Sequence, residues 1–104
     1  MAYDLSLHPE RVLAYLHQLE GFTPLGRVRL IEALEQNLGE HGDMFREKSE
    51  MRLAPGSEYF WFDYVADDGT GRWRSLWFLV SDRAAASGVL LVEFVEERTE
   101  PIPP

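Results

Sequence analysis

The chain has three histidines, His8, His17 and His41, and no cysteine. The histidines are far apart, form no His-x-x-x-His pair and have no carboxylate at ligand spacing, so no metal site is expected. Without cysteine there is no thiolate nucleophile, and no Ser or Thr occupies a strand–turn–helix elbow. Gly69-Thr70-Gly71 has a phosphate loop's composition but not its setting, because strand patterns flank it and no helix N-terminus follows to receive an anion. It reads as a hairpin turn. Two carboxylate pairs are present, Asp67-Asp68 in that turn and Glu96-Glu97 at a strand end. Neighbouring strand residues point to opposite faces, so Glu96 and Glu97 are poorly placed to share a proton. Both pairs read as solvated charge, and no cofactor is expected.

What stands out instead is aromatic. Residues 59–78 hold eight of the thirteen Phe, Tyr and Trp side chains: Tyr59, Phe60, Trp61, Phe62, Tyr64, Trp73, Trp77 and Phe78. Half of this set must be core. The other half, Tyr59 and Trp61 with Trp73 and Trp77, is either buried by a second layer or left as a binding patch. The acids Asp63, Asp67, Asp68 and Glu93 around that patch would steer a basic partner. Candidate binding residues are therefore Tyr59, Trp61, Trp73, Asp63 and Glu93, and self-association through the same face is the competing use.

The elements that must position these residues follow from periodicity. Residues 2–7 alternate and suggest a short strand. Pro9 sits where a first helical residue belongs, and Val12, Leu13, Leu16 and Leu19 form one apolar stripe ended by Gly21. Thr23-Pro24 opens a second helix. Its stripe is Val28, Ile31, Leu34 and Leu38, with Gly39 at the expected left-handed cap. The link at 20–23 is short enough for a helical hairpin. Residues 40–52 are charged and read as a loop with a turn of helix. Strands are expected at 58–65, 72–80 and 89–96, the first two joined through Asp68-Gly69. The last is nearly all apolar, which predicts a central strand covered on both faces.

The result is an α+β domain spanning residues 1–104: a short N-terminal strand, a helical hairpin, then an antiparallel three- to four-stranded sheet with helices on one face. Residues 100–104 are expected to trail as a flexible tail. The predicted core is Val12, Leu16, Ile31, Leu34, Phe60, Phe62, Leu76, Leu91 and Phe94.

Composition narrows the function. Residues 1–52 carry six basic and nine acidic side chains, and residues 53–104 carry four and nine, for a net charge of −8. Such a field repels phosphate backbones, so direct binding of nucleic acid is not expected. No apolar run approaches the ~20 residues of a membrane span. The N-terminus MAYDLSLHPE lacks a signal peptide's basic start and apolar core. A cysteine-free chain of this kind is expected in the reducing cytoplasm.

Three strings carry a family resemblance: REKSEMRLAPGSEYFWF (46–62), GRWRSLWFLV (71–80) and VLLVEFVEERTEP (89–101). Together with the element order, they resemble the RelE/ParE toxin superfamily of bacteria, especially its HigB-like and phage-derived members. That resemblance implies a toxin–antitoxin setting and, in some members, cleavage of messenger RNA by a cluster of cations. Carried over residue by residue, it nominates Arg74 and Arg98 as catalytic, with Arg72 as a weaker candidate. The sequence departs from the family where two lysines usually end the last strand, since Glu96 and Glu97 stand there. Phe62 or Asp63 likewise replaces the usual Arg of the first long strand.

Three uses follow from the resemblance and the charge. The favoured one is a toxin-fold protein that binds a protein partner, an antitoxin or a cellular target, with lost or weak ribonuclease activity. The others are an active ribosome-dependent mRNA endoribonuclease, and a small acidic inhibitor or adaptor for a basic protein.

Overall fold

The structure is a computed structural model, and it describes residues 2–47, 52–54 and 56–98. The tail expected at 100–104 lies outside the described residues. The order is β1 (Asp4–Leu7), a wide π-type turn (Pro9–Leu13) leading into α1 (Ala14–His17), then α2 (Pro24–Leu34), a second π-type stretch (Glu35–Glu40) and α3 (His41–Arg46). Strands β2 (Tyr59–Asp67), β3 (Trp73–Ser81) and β4 (Val89–Arg98) follow. The four strands form one sheet in the order β1-β4-β3-β2. β2, β3 and β4 are antiparallel neighbours, while β1 joins the far edge parallel to β4. The α+β architecture is as the periodicity predicts, and the parallel pairing of β1 makes the sheet mixed.

Local chemistry accounts for the helix starts. The His8 imidazole accepts from the backbone N–H of Glu10 and Arg11, and Pro9 follows at the first helical position. The Thr23 hydroxyl accepts from Gly26 N at 3.0 Å, again with proline next. Each capping group satisfies a helix N–H that has no partner within its own helix.

One core lies between the helical layer and one face of the sheet. It joins Val12, Leu16, Leu19, Leu30, Leu34 and Leu38 to Phe60, Phe62, Leu76, Phe78, Val80, Leu90, Val92 and Val95. Phe45 of α3 closes it, meeting Phe62 edge to face at 4.7 Å.

Several expectations are corrected here. The buried stripe of α2 runs through Gly26, Leu30 and Leu34, and Val28 is exposed. The reason is the close approach of Gly26 to the Asp68 carbonyl, which fixes the rotation of the helix and leaves no space for a Cβ. Gly39 does not cap a helix. It lies buried within the continuing helical stretch and accepts the Tyr3 N–H at 2.5 Å, docking β1. A Cβ there would lie 3.1 Å from the Tyr3 carbonyl oxygen, so the glycine serves contact rather than a left-handed turn.

β4 is central in order but covered on one face only. Its pairing with β3 slips between Leu79 and Val80: Leu79 faces Phe94 while Val80 faces Val92, leaving Glu93 as the extra residue of a bulge. The slip changes which residues point inward. Val92 and Val95 are both buried, Leu91 is half-buried, and Phe94 is 39% exposed on the other face. Leu91 and Phe94 therefore do not belong to the core, and Ile31 sits at its margin.

Candidate functional site

Strand alternation puts Arg74 and Arg98 on opposite faces of the sheet. Arg98 pairs across with Ser75, the residue after Arg74. Arg74 therefore shares its face with the helices, and Arg98 lies on the uncovered face with Trp61, Trp77 and Phe94. The two arginines nominated for phosphate chemistry cannot converge on one phosphate.

Each arginine is also occupied. The Arg74 Nε and Nη2 donate to the two Glu97 carboxylate oxygens at 2.6 Å, a two-pronged ion pair. Its Nη1 donates to the Glu20 carbonyl at 2.6 Å, and the guanidinium lies 4.7 Å over the Phe22 ring. All three nitrogens are used, which ties the turn after α1 to β3 and β4. The Glu97 hydrogen bonds raise the Arg74 pKa, and the same bonds hold the Glu97 carboxyl below its ordinary range. Tyr15 stands beside the pair; burial, then the Glu97 charge, pushes its phenol up. A cavity of about 380 Å³ is lined by Tyr15, Gln18, Leu19, Glu20, Arg74 and Glu97.

On the other face Arg98 pairs with Glu96 through its Nε and Nη2. Its guanidinium carbon lies 3.9 Å from the centroid of the Trp77 ring and 5.2 Å from that of Trp61. The two indoles meet edge to face at 6.0 Å. Trp77 is only 5% exposed, and its Nε1–H has no hydrogen-bond partner among the described residues.

Around this centre the sequence-nominated binding residues are brought onto one face in two groups. Asp63 accepts from the Ser75 hydroxyl at 2.8 Å, beside Trp61. Tyr59 lines a shallow depression with Arg11, Leu79, Glu93 and Phe94. Glu93 is held between Arg11 and Arg83, each at 3.6 Å, so its charge is already balanced. Trp73 stands apart at the hairpin end, paired in register with Asp67 and 67% exposed. Val65, 51% exposed, lies between these groups.

The sequence did not single out Trp77 with Arg98 as the centre of this face, nor Phe94 and Val65 as parts of it. Alternation along β2 pointed to Val65. The stacking of Arg98 on Trp77 depends on the β3–β4 register, and Phe94 on the bulge, neither of which leaves a local sequence signal. Among the described residues, no three His, Asp or Glu side chains gather to hold a metal ion. No helix among them is long and apolar enough to cross a membrane. No family model, curated protein or solved structure matches the chain.

Proposed function

We propose that this chain is a toxin-fold protein of the RelE/ParE kind, belonging to a toxin–antitoxin type of system, that acts by binding another protein and has little or no ribonuclease activity. One observation carries the reading: Arg74 and Arg98 lie on opposite faces, each already neutralised by its own glutamate. Stabilising charge at a scissile phosphate needs converging cations that are free to meet it. The uncovered face offers what a protein interface needs, with indoles pre-ordered by edge-to-face packing and by Arg98, and an exposed apolar margin of Val65, Trp73 and Phe94. The net charge of −8 favours a basic partner.

The cluster of Tyr15, Arg74 and Glu97 around one cavity is the observation that favours the second reading, an active mRNA endoribonuclease. It holds a carboxylate, a phenol and a cation within reach of one another, but the cation is already paired with Glu97 and bonded to the Glu20 carbonyl.

A photo-crosslinking residue placed at Trp61 or Val65, and as a control at Glu32 on the exposed side of α2, tests the interface in cells. The expected result is one discrete protein adduct from the sheet-face positions and none from Glu32. Adducts with RNA, or identical patterns from all three positions, would count against the reading.

A further inference from the structure

Resting on the reading that the uncovered face binds a protein, we propose that Arg98 fills the place where an arginine of that partner binds. The site opens when Arg98 is displaced. Trp61 and Trp77 meet at 62° with their ring centroids 6.0 Å apart, which makes an open V on the sheet. The Arg98 guanidinium carbon lies within reach of both walls, 3.9 Å from the Trp77 centroid and 5.2 Å from that of Trp61. Two indoles at that range suit a guanidinium, which is planar and weakly hydrated. The chain's own side chain therefore shows which chemistry the V accepts.

Charge and hydrogen bonding point to exchange rather than to a purely structural contact. Asp63 and Glu96 stand opposite Trp77 in register, one on each neighbouring strand. Glu96 pairs with Arg98, whereas the Asp63 carboxylate has only the Ser75 hydroxyl among the described residues. Two carboxylates thus flank one cation, and the centre stays negative with Arg98 in place. Trp77 is 5% exposed, and its Nε1–H has no acceptor among the described residues. Such a donor is costly to bury, and the Arg98 guanidinium, which carries donors only, cannot satisfy it. An arginine-bearing peptide segment supplies what Arg98 lacks. Its guanidinium replaces that of Arg98 over the rings and on Glu96, and its main-chain carbonyl accepts from Trp77 Nε1. The exchange is like for like at the rings, and the displaced Arg98 returns to water. The net charge of −8 and the unpaired Asp63 draw a basic segment to the face.

The probe is acetyl-Gly-Arg-Gly-amide, titrated into the isotope-labelled full chain and followed by NMR at the indole N–H signals and the Arg98 Nε–H. A lid shut about nine-tenths of the time lowers apparent affinity about tenfold. Arg98→Ala and Arg98→Thr, the latter a good strand former, should therefore bind the peptide at least about tenfold tighter than wild type. Binding should move the Trp61 and Trp77 signals, with the Trp77 N–H going downfield, and leave Trp73 in place. In wild type, saturating peptide should release the Arg98 Nε–H signal from its Glu96-bonded position. A peptide with citrulline for Arg, similar in shape but uncharged, should bind at least about tenfold more weakly. Three results would each overturn the proposal: no gain in a folded Arg98 variant, equal binding of the citrulline peptide, or wild-type binding that leaves Arg98 on Glu96. Movement of the same signals with protein concentration alone would assign the V to a second copy of this chain and reject the peptide partner. A discrete cellular adduct from Val65 with no gain in the Arg98 variants would sink this inference and leave the protein-binding reading standing. A gain in those variants without any adduct would do the reverse.

Discussion

Arg98 lies over Trp77, its guanidinium carbon 3.9 Å from the ring centroid, on the face of the sheet away from Arg74. The contact turns a cation that the last strand could have offered to phosphate into a lid over an indole. A guanidinium stacked on an aromatic ring contributes about 0.5–2 kcal/mol, depending on how far it is desolvated. Arg98→Ala should therefore lower stability by about that amount and red-shift tryptophan emission as Trp77 meets water. Arg98→Lys should recover only part of the loss, because an ammonium cannot lie flat on the ring. Unchanged emission in Arg98→Ala would show that Trp77 is buried by its other neighbours.

Arg74 is expected to behave as a clamp. Removing it leaves Glu97 and the Glu20 carbonyl without their donor, which costs about 1–3 kcal/mol for hydrogen bonds to a charged group. A double-mutant cycle of Arg74→Met and Glu97→Gln, read by urea denaturation, should show coupling on the order of 1–3 kcal/mol. Coupling near zero would mean that the pair contributes nothing beyond its geometry.

Carboxylates held low in the folded state set the acid limb of stability, among them Asp43, Asp68 and Glu97. Asp43 is held at about 2, chiefly by the Tyr3 hydroxyl that donates to it, and Glu97 is lowered chiefly by Arg74. A carboxyl whose folded pKa is depressed stabilises the fold fully above its unfolded value, about 4, and loses that contribution as pH falls through the folded value. Melting temperature should therefore be flat near neutrality and drop between about pH 4 and pH 2. The drop should be shallower in Asp43→Asn and in Glu97→Gln. Thermal melts across that range check it, and a wild-type profile no steeper than those of the variants would contradict it.

Gly26→Ala sets helix propensity against tertiary packing. An exposed helix position gains up to about 1 kcal/mol from this change. Here the new methyl would overlap the Asp68 carbonyl, so α2 and the hairpin must separate. A net loss of about 1–3 kcal/mol is expected by calorimetry, the usual range for overpacking. A stabilised variant would show that the two backbones are not in contact.

Much of this was legible in the sequence because it is locally encoded. The proline-led helix starts at Pro9 and Pro24, the Asp68-Gly69 turn and the alternation of β2 each depend on a few adjacent residues, and they give the α+β order. What was not legible depends on register between distant segments. Phe94 sits in an apolar run and reads as core until the bulge opposite Leu79 turns it outward. Gly39 reads as a cap until β1 is found docked on it. Glu96 and Glu97 were visible as departures from a cationic pattern. That each neutralises a different arginine, on a different face, became apparent only with β3 and β4 paired.

Induced expression followed by primer extension on translated messages tests the central claim most directly. If the chain works by binding a protein, the cleavage pattern after induction should match that of uninduced cells, and Arg74→Ala should change the protein's stability but not that pattern. New cleavage at fixed codon positions that disappears in a folded Arg74→Ala variant would contradict the account and make the Tyr15, Arg74 and Glu97 cluster an active site.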